Sequence, residues 1–106
     1  MLKDLEPADA RGYVHSGQRK FNFAEYDEAW QDFAIAMLMD EKAIDLVLHF
    51  AATLVAEGRP ADSRHLLDRL ATVPASESQL AEIHLGQLVT MHELGQQEEA
   101  NRQLER

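Results

Sequence analysis

The stretch Gly17-Gln-Arg-Lys-Phe-Asn-Phe-Ala24-Glu-Tyr26-Asp-Glu-Ala29-Trp-Gln-Asp-Phe33-Ala-Ile-Ala36 decides how the chain is read. Beyond Ala24, the residues Tyr26, Ala29, Trp30, Phe33, Ala36 and Met37 recur at steps of three and four, the spacing of an apolar stripe on a helix. Two antiparallel helices approach closely only where one side chain is small. Gly17 is therefore placed opposite Ala29, with Tyr26 and Phe33 filling the wedge beside the joint.

Working outward, Ile44, Val47, Leu48, Ala51, Leu54 and Val55 repeat the helical stripe. The segment 61–70 carries Leu66, Leu67 and Leu70 on one side, and 80–94 carries Ile83, Leu88 and Met91. A short polar helix from Gln96 closes the pattern. The breaks fall at 22–24, 40–42, Gly58-Arg-Pro60, 73–78 and Gly95. Pro60 fits a first helical turn, where its missing N–H costs nothing, and Gly58 and Gly95 suit the left-handed conformation that ends a helix. Ser76 or Ser78 supplies a cap for the following helix. Asn-Gly and Asp-Gly turns and β-branched clusters are missing. The expected fold is all-α, with successive helices packed antiparallel through short loops into three helical hairpins.

The length of 106 residues suits one domain, and 45% hydrophobic with 27% charged residues is the composition of a folded chain. Ten Lys/Arg against nineteen Asp/Glu give a net charge of −9, which repels phosphate backbones and anionic lipid, so neither nucleic acid nor a membrane is an expected partner. No cysteine is present, which removes disulfides, thiolate metal sites and thiol nucleophiles. The start, Met1-Leu-Lys-Asp-Leu-Glu-Pro7, lacks the apolar run of a signal peptide, and no stretch has bilayer-spanning length. Cytoplasm is the expected location.

A weak internal repeat underlies the pattern. Ala24-Glu-Tyr-Asp-Glu-Ala29, Gly58-Arg-Pro-Ala-Asp-Ser63 and Gly95-Gln-Gln-Glu-Glu-Ala100 each open and close on a small residue, and the blocks start 34 and then 37 residues apart. Four residues after each block stands a large apolar side chain, Phe33, Leu67 or Leu104, and seven before each stands Gly17, Ala51 or Leu88. This spacing resembles the tetratricopeptide repeat (TPR) family. The fullest match is 17–36, where Gly17, Ala24, Tyr26, Ala29, Phe33 and Ala36 follow the family's small-and-aromatic pattern, with Ala24 in place of its glycine. The later blocks depart from it, with Pro60 and Gln97 at the aromatic position and Leu88 at a small one.

The resemblance implies a single TPR-like domain over 1–106, a right-handed superhelix with repeats at about 8–41, 43–75 and 78–106, in which Gly17, Ala24, Tyr26, Ala29, Phe33, Ala36, Gly58, Leu67, Gly95 and Ala100 are the packing residues. Hairpins stacked in that way line a concave face with their first helices. The inner stripe then runs through Arg11, Val14, Gln18 and Phe21, through Asp45, Leu48, Ala52 and Val55, and through Glu82, Leu85, Val89 and His92. An apolar channel with charged rims suits a peptide or helix of a partner protein. Val14, Gln18, Phe21, Leu48, Ala52, Val55, Leu85, Val89 and His92 are the candidate partner-binding residues.

The family's clamp for chaperone C-terminal carboxylates uses Lys and Asn side chains. The matching positions here hold Val14, Gln18, His49 and Gly86, so that clamp is absent. In acidity, size and apolar groove the chain is similar to the small chaperones of type III secretion. Adaptor or chaperone-like binding is the first functional expectation. The second is a self-associating structural module, a homodimer closed through the same apolar face or through an open repeat end, with the N-terminal end that carries Leu2, Leu5 and Tyr13 as the suspect surface. The acids Glu25, Asp27, Glu28, Asp32, Asp40 and Glu41 read as a solvated outer face of the second helix.

Catalytic and metal chemistry finds no pattern. His15, His49, His65, His84 and His92 have no second histidine three or four residues away, the step a helical metal pair requires. Phosphate loops, nucleophile elbows and His-Glu-x-x-His motifs are missing, and paired acids on exposed helix faces lack the burial that tunes a catalytic carboxylate. No enzyme activity, metal or cofactor is expected.

Overall fold

A computed structural model describes residues 9–104, and within them the chain is all-helical: α1 (Ala10–Asn22), α2 (Tyr26–Met39), α3 (Ala43–Ala56), α4 (Pro60–Leu70) and α5 (Glu77–Leu104). The contacts divide the chain into two compact units, one ending at Val47 and one beginning at Leu48, so that the boundary falls inside α3. Leu2 and Leu5, proposed above for an N-terminal interface, lie outside the described residues, and Tyr13 is half-buried.

In the first unit, α1 starts at Asp9, whose carboxylate accepts the Gly12 N–H at 2.8 Å, and ends with Arg19 and Lys20 in its last turn, the charge that suits a helix C-terminus. Its buried residues are Val14, Gly17 and Phe21, one face of the helix, and α1 packs against α2. A Cβ on Gly17 would stand 2.5 Å from Phe33 Cε1 and 3.1 Å from the Ala29 carbonyl oxygen. Only glycine fits there. Phe21 meets Tyr26 edge to face, with ring centroids 4.9 Å apart.

The turn between these helices places Ala24 at φ 64, and among the described residues it alone of the non-glycines has a positive φ. That conformation costs an L-residue about 1–2 kcal/mol. The turn is held by Ala24 N–H donating to the Phe21 carbonyl at 3.0 Å and Glu25 N–H to that of Lys20 at 2.9 Å. Asp32 departs from the expected outer face: it is buried, its Oδ2 accepting from Ser16 Oγ at 2.6 Å and pairing with Lys20 Nζ at 2.9 Å. Sequence periodicity marked this position as polar; its partners on α1 are what allow it to be buried.

The second unit repeats the same turn chemistry. Gly58 has φ 79, its N–H donates to the Val55 carbonyl at 3.0 Å, and Arg59 N–H donates to that of Leu54 at 2.8 Å. Pro60 then opens α4. Ser63 Oγ donates to the Ala51 carbonyl at 2.8 Å, joining α4 to α3 at residues that stand 34 places after Ala29 and Gly17. On α5, Thr90 Oγ1 donates to the Gly86 carbonyl at 2.7 Å and lies 3.5 Å from Ser63 Oγ, so a buried hydroxyl pair finds its partners on main chain. A Cβ on Gly86 would stand 3.2 Å from Leu67 Cδ1, so α5 packs closely against α4 at this glycine.

Ser76 caps α5 reciprocally: Gln79 N–H donates to Ser76 Oγ and Ser76 N–H to Gln79 Oε1, each at 3.1 Å. From there α5 runs unbroken for 28 residues, about 42 Å at 1.5 Å per residue. This corrects the expected break at Gly95 and the separate last helix. The described residues hold five helices, and in this structure α5 is straight where the third hairpin was expected. A mid-helix glycine costs only about 1 kcal/mol, and Gln96, Gln97, Glu98, Glu99 and Ala100 after it are good helix formers.

Relieving the strained turn with Ala24→Gly is expected to raise unfolding stability by about 0.5–1 kcal/mol, the left-handed penalty less the added freedom of the unfolded chain. Gly17→Ala is expected to lower it by about 1–3 kcal/mol through overpacking against Phe33 and the Ala29 backbone. Urea denaturation of both variants checks the two signs.

Candidate functional site

Two opposite sides of α5 carry apolar residues. Ile83 and Thr90 are buried, with Gly86 against Leu67 between them, and they define the side turned toward α4. Successive residues turn by about 100°, so Leu85, Leu88, Val89 and His92 fall on the opposite side. There Leu85 is 61%, Leu88 64% and Val89 45% exposed, and Met91 beside them is 53% exposed. A helix in a small protein normally buries one stripe and presents polar residues on the other. α5 presents a bare apolar face.

One border of this face is a shallow open groove of about 390 Å³ between α4 and α5. It is lined by Arg64 and Asp68 of α4 and by His84, Gln87, Leu88 and Met91 of α5. Gln87 Nε2 donates to Asp68 Oδ1 at 3.0 Å, tying the two helices within the groove lining. Glu82 and Glu93 border the opposite side of the face by the same helical geometry. His92 Nε2 lies 3.0 Å from Gln96 Nε2, so its ring is held along the helix surface.

The sequence-derived candidates divide by exposure. Leu85, Val89 and His92 come together on the exposed face of α5. Leu48, Ala52 and Val55 share one side of α3, where Ala52 is exposed and the other two are half-buried. Val14 and Phe21 are buried and Gln18 is half-buried, so on α1 the stripe belongs to packing and not to an open channel. Leu88 and Met91 are the additions: both were visible in the helical pattern, but an apolar residue on a helix reads first as core. Ile35, Leu38 and Met39 form a second exposed strip on α2 in the first unit, with Leu38 88% exposed. The run Met37-Leu38-Met39, apolar on all sides of a helix, is the signal for it.

Among the described residues, no group of three or more His, Asp or Glu side chains is placed to hold a metal ion, and no helix is long and apolar enough to cross a membrane. The exposed apolar surface made by Leu85, Leu88, Val89 and Met91 is the candidate site. No protein-family model matches the sequence, and no curated protein or solved structure is detectably similar to it.

The two sides of α5 predict opposite responses to truncation. Leu67→Ala, beneath Gly86, is expected to cost about 2–5 kcal/mol of stability. Leu85→Ser on the outer face is expected to change it by no more than about 0.5 kcal/mol. Thermal and urea unfolding of the two variants measures the contrast.

Proposed function

We propose that the chain is a non-catalytic protein-interaction module, adaptor or chaperone-like, that takes a peptide or helix of a partner protein on the outer face of α5. One observation carries this reading: Leu85, Leu88, Val89 and Met91 stand exposed on the same stretch of one helix. Scattered apolar residues on a surface need no explanation, whereas a contiguous set rimmed by polar groups marks a contact site. An amphipathic helix laid along it would place its own apolar residues at helical spacing against these four, with Arg64, Asp68, His84 and Glu82 as the polar rim.

The expected strength is modest. Burying four such side chains contributes about 6–12 kcal/mol before costs, at about 1.5–3 kcal/mol each. Lost translational and rotational freedom takes back about 4–15 kcal/mol. A transient complex is the regime these magnitudes describe, which suits an adaptor or a holding chaperone. The TPR-like reading is supported by the hydrogen-bonded left-handed turns at Ala24 and Gly58, built alike at equivalent positions.

A self-associating module is the second reading, and the strip Ile35, Leu38 and Met39 favours it. The two are separated by paired charge substitutions. In affinity capture followed by mass spectrometry, Leu85→Glu with Val89→Glu is expected to reduce retention of the partner at least about tenfold with helical content unchanged. Capture that is indifferent to these substitutions, together with a dimer in sedimentation equilibrium that Leu38→Glu disrupts, would replace the first reading with the second.

A further inference from the structure

Gly95 has no packing reason to be glycine: it sits exposed inside α5, and a Cβ there would meet nothing within 4 Å. The two turns that the chain does make explain it better. Five residues after Ala24 and Gly58 come Ala29 and Ser63, and nine after come Phe33 and Leu67, all four buried on the inward side of a returning helix. Five and nine after Gly95 come Ala100 and Leu104, which are exposed, Leu104 to 84%. Every described residue from Gly95 onward is exposed, and a long 3.4 Å hydrogen bond from Gln97 Nε2 to the Gly58 carbonyl ties this segment to the rest of its unit.

Helical phase points the same way. Continued straight, the bare face of Leu85, Leu88, Val89 and His92 runs on through Gln96, Glu99 and Gln103, while Ala100 and Leu104 lie about 70–110° around the axis. In straight α5 both of these apolar residues are exposed. As the inward side of a returning helix they share one stripe.

We propose that Gly95 is a hinge and that residues 96–104 form a strap which folds back through a left-handed turn onto the outer face of α5. In the closed form Ala100 faces Leu88 and Leu104 comes level with Leu85, as Ala29 faces Gly17 in the first hairpin. The strap covers the surface assigned above to a partner, so partner and strap compete for it. Leu88, where the other hairpins have Gly17 and Ala51, holds the returning helix further off than in those hairpins, which keeps the closed form shallow and the straight form accessible. The competition rests on the proposed docking face; the fold-back itself does not.

Spin labels at Ser78→Cys and Gln103→Cys test it in the full chain, whose sequence has no other cysteine. Straight α5 puts these sites about 38 Å apart, and a hairpin brings them to about 15–20 Å. The expected result is a mixture of the two distances that survives dilution with unlabelled protein. Gly95→Ala is expected to lower the short-to-long ratio at least about tenfold, because alanine resists the left-handed turn and favours the helix. Gln97→Pro, which copies the position of Pro60 after Gly58, is expected to make the short distance dominant.

A single long distance in the parent chain with a broad, structureless distribution in Gln97→Pro overturns the hinge. So does a short distance that vanishes on dilution, since it then belongs to a second copy, or one that Gly95→Ala leaves unchanged. None of these readouts requires a partner, so the strap can fail while the docking face stands, and the reverse.

Discussion

The close approach of two helices at a residue without a side chain governs the first unit. Gly17 admits the Phe33 ring and the Ala29 carbonyl to distances that any Cβ would forbid, and everything that depends on α1 and α2 lying together follows from it. Asp32 can be buried because that approach brings Ser16 and Lys20 to its carboxylate. The strained conformation of Ala24 is tolerated for the same reason, since the contacts on either side of the turn outweigh a penalty of about 1–2 kcal/mol. In the second unit a serine replaces the alanine of the joint, and the helices are held by a hydroxyl reaching the Ala51 carbonyl. The first joint thus rests on shape complementarity, and the second includes a side-chain hydrogen bond to main chain.

α5 stands apart from this pattern. Its inner side is packed as the other helices are, through Ile83, Gly86 and Thr90, but its outer side keeps leucines and a valine in water. Exposed apolar surface lowers solubility without adding to the stability of the free chain. A net charge of −9 counters the first of these effects by favouring solubility. An exposed apolar face and a strong net charge are thus present in the same chain.

The helical class and the punctuation of the chain were legible because they depend on local chemistry. Gly58 adopts a positive φ, Pro60 opens a helix and Ser76 caps one, each for reasons that lie within a few residues. The proposed facing of Gly17 and Ala29 also came from size alone. Two kinds of feature were not legible. Periodicity shows which side of a helix is apolar but not what lies over it, so Val14 and Phe21 read the same as Leu85 and Val89, although the first two are buried and the last two exposed. The continuity of α5 through Gly95 turned on a balance of about 1 kcal/mol between a glycine and the helix formers after it, too fine for pattern to decide. Asp32 was misplaced because its burial depends on partners sixteen and twelve residues earlier in the sequence.

The central claim is that the outer face of α5 is the contact surface. Hydroxyl-radical footprinting of the chain alone and bound to its captured partner tests it side chain by side chain. Leu85, Leu88 and Met91 are predicted to lose reactivity on binding while Phe23 and Leu38, more open still in the free chain, keep theirs. Protection at Leu38 with Leu88 and Met91 still reactive would contradict it.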